Sequence, residues 1–419
     1  MLKLTVYLTL ILITATTALA RPQYSILQSY GIKCTGCHIS INGGGARNAQ
    51  GNISRNSISL IPADKIPVLG TVFDKISNNN SFFDDKIMWG MDVRYQSARW
   101  PAAADTVTLK RTARDQMIMQ FTPYLIFTPV EWLQIDGLYN IASEIDARLM
   151  TGQQPWMAAL TIKTTNWMDG WLPNFKAGKF QPGIGIRWDD HTVLNRYAYG
   201  VSKGKGTQGK NGEDYFSRTP LYPSDDYAEY GAELNFEKID WLELAVGGFM
   251  ADNLVTMSQI TDRSGVKHNV VDSGSFSLTG KILVIPPVWH GIASFIGGTF
   301  LKNNDYLLSN AFLSFGIGDK FCAIAEFARS EKKDLRQTQA YLFEADYQIK
   351  DYLIPFVRLE HSVCREHSAL NPIYATQYDF GMHLNLLPFI ELIPEYRIFR
   401  YEHIPGYASQ WTFQLHVFY

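Results

Sequence analysis

The chain has 419 residues, 46% of them apolar, and a formal net charge of −2. This composition excludes a disordered chain, the near-neutral charge excludes a dedicated nucleic-acid-binding protein, and a total of four cysteines excludes a disulfide scaffold. The chain is nevertheless rich in aromatic residues, with 24 Phe, 22 Tyr and 10 Trp. So many aromatic side chains at ordinary hydrophobicity predict an unusual surface.

Residues 1–20 have the features of a signal peptide. Lys3 supplies a positive charge, the run from Leu4 to Ile13 is apolar, and Ala18-Leu19-Ala20 offers a cleavage site, so the mature chain would begin at Arg21. A membrane anchor is the alternative, but the apolar run is short and contains Thr residues. Later segments contain no run of about 18 apolar residues, so any membrane crossing must use strands.

Residues 21–85 contain the strongest chemical signal, Cys34-Thr35-Gly36-Cys37-His38. Two thiols at this spacing can form thioethers with haem vinyl groups, and the following imidazole can bind the iron as proximal ligand. A disulfide, a redox CxxC pair or half of a zinc site would not explain a histidine directly after Cys37. The motif therefore predicts one covalently bound c-type haem, with the iron on His38, in a cytochrome c-like segment.

The sixth ligand of that iron stays open. Beyond His38, the first methionine is Met88 and the first histidine is His191. The iron could be five-coordinate or water-bound, or it could take an unusual ligand. His383 and His416 in the barrel and His191 in the longest loop are further candidates, with ordinary polar lumen or loop residues as the alternative.

Arg47 follows three glycines, Gly43 to Gly45, shortly after the motif. Glycines allow backbone to pass close to a bulky group, and a guanidinium can pair with a carboxylate. Arg47 is therefore a candidate partner for a haem propionate, with a solvated loop residue as the alternative.

Residues 86–419 alternate apolar and polar residues over segments of about ten residues, as in strands with one apolar face. The last segment places five apolar residues on one face: Trp411, Phe413, Leu415, Val417 and Tyr419. Short turns are predicted at Thr128-Pro129, Lys238-Ile239-Asp240, Pro286-Pro287, Gly318-Asp319, Lys350-Asp351 and Leu387-Pro388. Longer polar connections are predicted at residues 98–114, 188–226, 252–270, 330–337, 361–374 and 401–408.

Regular alternation of short and long connections favours a membrane barrel over a soluble β-sandwich. The prediction is an all-β transmembrane antiparallel barrel of about 16 strands, with its short turns and both of its ends on the periplasmic side and a small N-terminal haem-binding plug.

Several acidic residues have the parity of lumen-facing positions: Glu326, Glu344, Asp346, Glu360, Asp379, Glu391 and Glu395. Carboxylates suit iron, but Arg329, Arg358 and Arg397 are interspersed, which favours a charge ladder over a metal path. Cys322 and Cys364 are predicted near opposite rims, too far apart for a disulfide.

The segment from Gly178 to His191 is rich in glycine and ends in Asp189-Asp190-His191. These three side chains could bind a metal at the surface. The alternative, which we favour, is a strand that bends as the following loop folds inward.

A processed leader, a single CxxCH near the mature N-terminus and a barrel-like remainder resemble the fused cytochrome-porins of the bacterial outer membrane, including those of iron-oxidising bacteria. Only Cys34, Cys37 and His38 match residue by residue, and the glycine run at residues 43–45 departs from the iron-oxidase pattern. The resemblance implies an electron conduit in outer-membrane lipid. It would connect periplasmic electron carriers with an extracellular redox substrate, iron among the candidates.

Three hypotheses follow from the sequence. The first is an electron-transfer protein, which would be an oxidoreductase if the extracellular step is catalysed. The second is a solute channel whose haem segment acts as a redox-sensing plug. The third is a barrel in which the CxxCH carries no haem.

Overall fold

The computed structural model describes most of the barrel and part of the N-terminal segment. The described residues are 33–41, 43, 46–48, 51, 58–62, 65–66, 70–71, 81–101, 112–142, 156–164, 167, 170–186, 197–202, 214–220, 227–257, 260–261, 266–318, 320–367, 372–401 and 407–419. The predicted signal peptide, Asp189, Asp190 and His191 lie outside these residues.

Nearly all regular structure in the described chain is β. The strands are β1 (Ser81–Phe82), β2 (Ile87–Pro101), β3 (Thr112–Val130), β4 (Leu133–Tyr139), β5 (Trp156–Ile162), β6 (Asn174–Phe180), β7 (Tyr197–Ser202), β8 (Asp214–Pro220), β9 (Glu229–Phe236), β10 (Leu242–Met250), β11 (Ile260–Thr261), β12 (Lys267–His268), β13 (Phe276–Val284), β14 (Ile292–Asn303), β15 (Tyr306–Ile317), β16 (Phe321–Lys332), β17 (Arg336–Tyr347), β18 (Leu353–Glu366), β19 (Ile373–Leu387), β20 (Ile390–Tyr401) and β21 (Ala408–Phe418). A 3-10 turn spans Cys34–Gly36, and helix α1 spans Asp252–Met257. No helix among the described residues is long and apolar enough to cross a membrane.

Sixteen of these strands form one closed antiparallel barrel. Each strand pairs with its neighbour in the order β2 to β6, β9, β10 and β13 to β21, and the short β1 is added beside β2. The barrel closes where β2 pairs with β21, from Asp92 opposite Phe418 to Arg99 opposite Trp411. The predicted count of about 16 strands is confirmed.

The two ends of the barrel differ in their connections. At one end, here called the turn end, β3 and β4 join through residues 131–132 and β19 and β20 through residues 388–389. The opposite end, here called the loop end, carries the long connections at residues 181–228 and 251–275. Outer-membrane barrels have short periplasmic turns and longer extracellular loops, which corresponds to this division.

Two predicted connections are wrong in their positions. Thr128-Pro129 lies within β3, where the pairing with β4 shifts register between Phe127 and Val130, so the missing proline N–H is accommodated at a bulge. Residues 330–337 were predicted as a long loop, but β16 and β17 continue to Lys332 and from Arg336, leaving a tight turn.

The outer surface of the barrel is apolar. Phe343 is 47% exposed while its neighbour Leu342 is 2% exposed, and the same alternation recurs along the strands, with Trp411, Phe413 and Leu415 on the outward face as predicted. Water would not favour so much exposed apolar surface, whereas lipid does. The register of each strand is fixed by this pattern, because a shift of one residue would turn the apolar face inward.

The described start of the connection between β6 and β9 packs inside the lumen. Ile184 and Ile186 have no exposed surface, and the Gly185 N–H donates to Oγ1 of Thr299 on the inner wall, at 2.7 Å. Further along this connection, β7 lies near β17, β18 and β19. In its described part, the glycine-rich segment thus bends into the barrel as predicted.

Candidate functional site

The CxxCH motif forms a compact turn. The N–H groups of Cys37 and His38 both donate to the Cys34 carbonyl, at 3.1 and 2.8 Å. Cys37 is buried, Cys34 is partly exposed, and His38 is partly buried in a short antiparallel bridge with Arg47. Both thiols and the imidazole therefore belong to one small folded unit, as the spacing of the motif requires for one shared ligand.

Asn48 and Gly51 hold this turn together, and sequence reasoning missed both. The Asn48 side-chain amide donates to the carbonyls of Thr35 and Gly36, each at 3.1 Å, and its backbone N–H donates to the Cys37 carbonyl at 3.0 Å. The Gly51 N–H donates to Oδ1 of Asn48 at 3.0 Å. The sequence alone does not indicate such contacts unless the turn that they stabilise is already known.

Lysine side chains anchor the segment to the turn end of the barrel. Nζ of Lys33 donates to two carbonyls of the β9–β10 connection, those of Glu237 and Ile239 at 2.9 Å, and to that of Leu242 at the start of β10, at 3.1 Å. On the inner wall, Nζ of Lys281 donates to the Ile41 carbonyl and lies 3.0 Å from Glu243. The motif is therefore held inside the barrel mouth by buried charge-assisted bonds.

A cavity of about 560 Å³ lies between the motif and the barrel wall. The motif contributes Thr35, Gly36 and His38, whereas β4, β5, β6, β9 and their turn-end connections contribute polar residues: Gln134, Thr161, Lys163, Asn174, Lys176, Glu233, Asn235, Glu237 and Asp240. Its volume is in the usual range for ligand pockets of about 300–1,000 Å³.

Two charged residues of this cavity lie in turn-end connections and are shifted toward their neutral forms. Burial raises the pKa of Glu237, and burial lowers the pKa of Lys163. Burial therefore disfavours the charged form of each of these two groups.

Arg47 belongs to a buried polar network at the barrel seam. Its guanidinium lies 4.0 Å from the Asp92 carboxylate and 5.0 Å from the centre of the Phe418 ring. His416 bridges Asp92 and Glu391, each at 3.0 Å, and the other oxygen of Glu391 lies 2.9 Å from His383. Among the described residues, Arg47 does not line the cavity, and its role toward a propionate stays a prediction.

The two lumen histidines that could complete iron coordination are thus bonded to carboxylates in the wall. Neither His383 nor His416 contributes to the cavity beside His38 among the described residues.

The predicted lumen acids do face inward, and most take part in a charge ladder. Arg358 contacts Glu344 at 2.5 Å, Asp379 at 3.6 Å and Glu360 at 3.8 Å, while Arg397 contacts Asp379 at 3.8 Å and also Glu395. In the described part of the chain, no cluster of His, Cys, Asp or Glu has the arrangement of a metal site. The ion pairs of the predicted ladder are present around Arg358 and Arg397.

Arg329 does not belong to this ladder. It has the opposite parity to Glu326, lies on the outward face near the loop end, and pairs with Glu331 at 2.5 Å. Cys322 and Cys364 lie near the turn end and the loop end respectively, as predicted.

Substitution of Gly51 tests how the turn is held. A Cβ at Gly51 would lie 2.3 Å from the Cys37 carbonyl oxygen, so Gly51→Ala must displace the backbone of the motif. We expect the Cys37 and His38 amides to exchange hydrogen at least tenfold faster, measured by mass spectrometry, with the barrel amides unchanged. Gly137→Ala is the control, since its Cβ would come no closer than 3.7 Å to a neighbour. Unchanged protection in Gly51→Ala would contradict this account.

Solved structures with this architecture are outer-membrane barrels. OprB of Pseudomonas putida matches over 84% of this chain and 96% of its own, with a TM-score of 0.52 and 10% identity. DcaP, an outer membrane channel of Acinetobacter baumannii, matches over 80% of this chain and 97% of its own, with a TM-score of 0.47 and 10% identity. A Vibrio cholerae OmpT lacking loop L8 matches over 80% of this chain and 99% of its own, with a TM-score of 0.47 and 11% identity. No protein-family model and no protein of curated function matches the chain.

The chain therefore has the closed barrel fold of the outer-membrane porins, and its apolar outer surface gives it lipid as its surroundings. Within this barrel, the CxxCH segment is held inside the turn end.

Proposed function

We propose that this protein is an electron-transfer protein of the bacterial outer membrane, with one c-type haem bound covalently to Cys34 and Cys37 at the periplasmic mouth of the barrel. The observation that carries the proposal is the position of His38, on a turn anchored to the barrel and facing a cavity of ligand size. His38 would supply the proximal nitrogen to the iron. When bound, the haem supplies one-electron chemistry.

The segments packed inside the lumen support electron transfer over free solute flow. The N-terminal segment occupies the turn end, and Ile184 and Ile186 pack against the inner wall further along the barrel. A hydrated solute would have to displace these groups, whereas an electron needs no open path. The proposal holds for either direction of electron flow: one electron leaves a donor on one side of the membrane and reduces an acceptor on the other. Extracellular iron and a periplasmic carrier are the candidate pair.

A haem stain of the denatured protein tests the cofactor, because a thioether-linked haem survives denaturation. We expect staining of the wild type and its loss in the Cys34→Ala/Cys37→Ala variant. The Cys322→Ala/Cys364→Ala variant is the matched control and should stain fully. An unstained wild type, purified after export in a host that matures c-type cytochromes, would refute the haem proposal.

Electron transfer is tested in liposomes that enclose an oxidised soluble cytochrome and face an impermeant ferrous chelate outside. We expect the enclosed cytochrome to be reduced at least tenfold faster with the wild type than with His38→Ala. Equal rates in haem-loaded samples of both would refute the conduit.

The porin fold itself favours a second candidate, a solute channel whose haem segment acts as a plug. The same liposomes test it through the release of an enclosed small sugar. Sugar release without reduction of the enclosed cytochrome would support the channel and exclude the conduit.

A further inference from the structure

The outward face of the barrel is chemically different at its two ends. At the turn end the outward strand positions are apolar, as with Ile292, Ile317, Tyr347 and Leu353. At the loop end, by contrast, three basic residues each occupy the second-to-last position of a strand: Lys302 on β14, Arg365 on β18 and Arg400 on β20. All three are exposed. We name them the loop-end cations.

The loop-end cations have the parity of the lipid-facing residues. Lys302 follows Phe300 on the outward face of β14, and Arg400 follows Ile398 on the outward face of β20. On β18, the step from Leu353 to Val363 measures about 33 Å along the strand, or roughly 25 Å along the membrane normal at a 40° tilt. This equals the height of the apolar band of an outer-membrane barrel, so Arg365 falls just beyond it, at the level of the lipid headgroups.

No direct ion pair with a described residue neutralises these cations, although Lys302 lies within coulombic reach of Asp305. Other basic groups nearby are paired, Arg329 with Glu331 and Lys332 with Asp305. Among the described residues, the loop-end cations form no salt bridge; Arg365 contacts the Gln339 amide oxygen at 3.4 Å, and Arg400 lies 5.9 Å from the Tyr407 ring. A row of exposed cations at a membrane boundary attracts anionic headgroups.

We propose that the loop-end cations bind the phosphate groups of the anionic glycolipid in the outer leaflet. Across the sheet, Arg400 lies level with Thr376 on β19 and His361 on β18, so Arg365 is two strands across and four residues along from it, about 16 Å away by strand spacing and rise. Two separated cations match a headgroup that carries two phosphates on one disaccharide, as in lipid A. A bilayer of singly phosphorylated lipids would satisfy each cation separately and gain nothing from their spacing. The proposal rests on the outer-membrane placement proposed above.

The test is titration of diphosphoryl lipid A into the purified full chain in neutral detergent, with bound lipid counted by native mass spectrometry. Each cation near a charged surface contributes about fivefold in affinity, so we expect Lys302→Gln/Arg365→Gln/Arg400→Gln to weaken binding on the order of 100-fold. The control is Lys86→Gln/Lys320→Gln/Lys350→Gln at the turn end, which should bind like the wild type. Monophosphoryl lipid A and phosphatidylglycerol should bind the wild type at least tenfold more weakly.

Retention of the heat-dependent shift in electrophoretic mobility shows that each variant is still a folded barrel. Wild-type affinity for lipid A in the loop-end variant would overturn the proposal, and so would equal binding of phosphatidylglycerol by the wild type. Insertion of the wild type into outer-membrane lipid vesicles is measured separately. Failure to insert would refute the membrane placement rather than the lipid A site.

Discussion

Replacing Arg358 with Met should lower the free energy of unfolding by about 3–5 kcal/mol, because the substitution leaves buried carboxylates without their cation. The guanidinium contacts Glu344, Glu360 and Asp379, and its side chain is 2% exposed. Met keeps the unbranched apolar part of the side chain, so most of the loss reports the missing guanidinium charge. Thermal unfolding of the barrel in detergent, followed by the mobility shift, measures the effect.

Arg329→Met is the matched control for that experiment. Like Arg358, Arg329 is paired with a glutamate, but its side chain is 38% exposed on the outward face. Exposed ion pairs contribute about 0–1 kcal/mol, so this variant should unfold close to the wild type. Similar losses of unfolding free energy in both variants would show that the lumen ladder is solvated, which would contradict this prediction.

Substitution of Ile186 by Glu should open the lumen. Ile186 packs without exposed surface in a cluster with Leu283, Ile285, Phe295, Phe312, Ile324 and Leu342. Transfer of a carboxylate into these surroundings costs several kcal/mol, so the segment should leave the wall while the hydrogen-bonded barrel remains. In planar bilayers we expect wild-type conductance to be small and the Ile186→Glu variant to conduct at least several-fold more.

Ile186→Met is the control for lumen opening, because it nearly conserves volume and polarity and should keep the wild-type conductance. A wild type that already conducts as much as the glutamate variant would mean that the segment between β6 and β9 does not limit passage. Such a result would favour the solute channel over the electron conduit.

The barrel was predictable because lipid imposes one rule on every strand. Residues such as Phe343 and Leu415 face lipid, their neighbours face the lumen, and a period of two follows directly from that geometry. The haem motif was equally visible, since Cys34, Cys37 and His38 lie within five residues. The inward orientation of His383 and His416 also followed from strand parity.

Other features depended on information that a period of two does not carry. The polar stretch at residues 330–337 was taken for a loop, but its outward polar side chains lie at the membrane boundary while the sheet continues. Ile184 and Ile186 pack in the lumen from an irregular segment, where spacing gives no orientation. Lys33 and Asn48 support the motif through backbone carbonyl groups, which any sequence supplies, and Gly51 supports it through its N–H bond to the Asn48 side chain.

The placement of Cys37 constrains the order in which this protein is made. Only 6% of Cys37 is exposed in the assembled barrel, and the same segment contacts Asp92 on β2 and Phe418 on β21, the first and last strands of the barrel. An attachment enzyme needs both thiols within reach. The proposed haem must therefore be joined to the exported chain before β2 and β21 meet, so that the barrel is assembled around a finished cofactor.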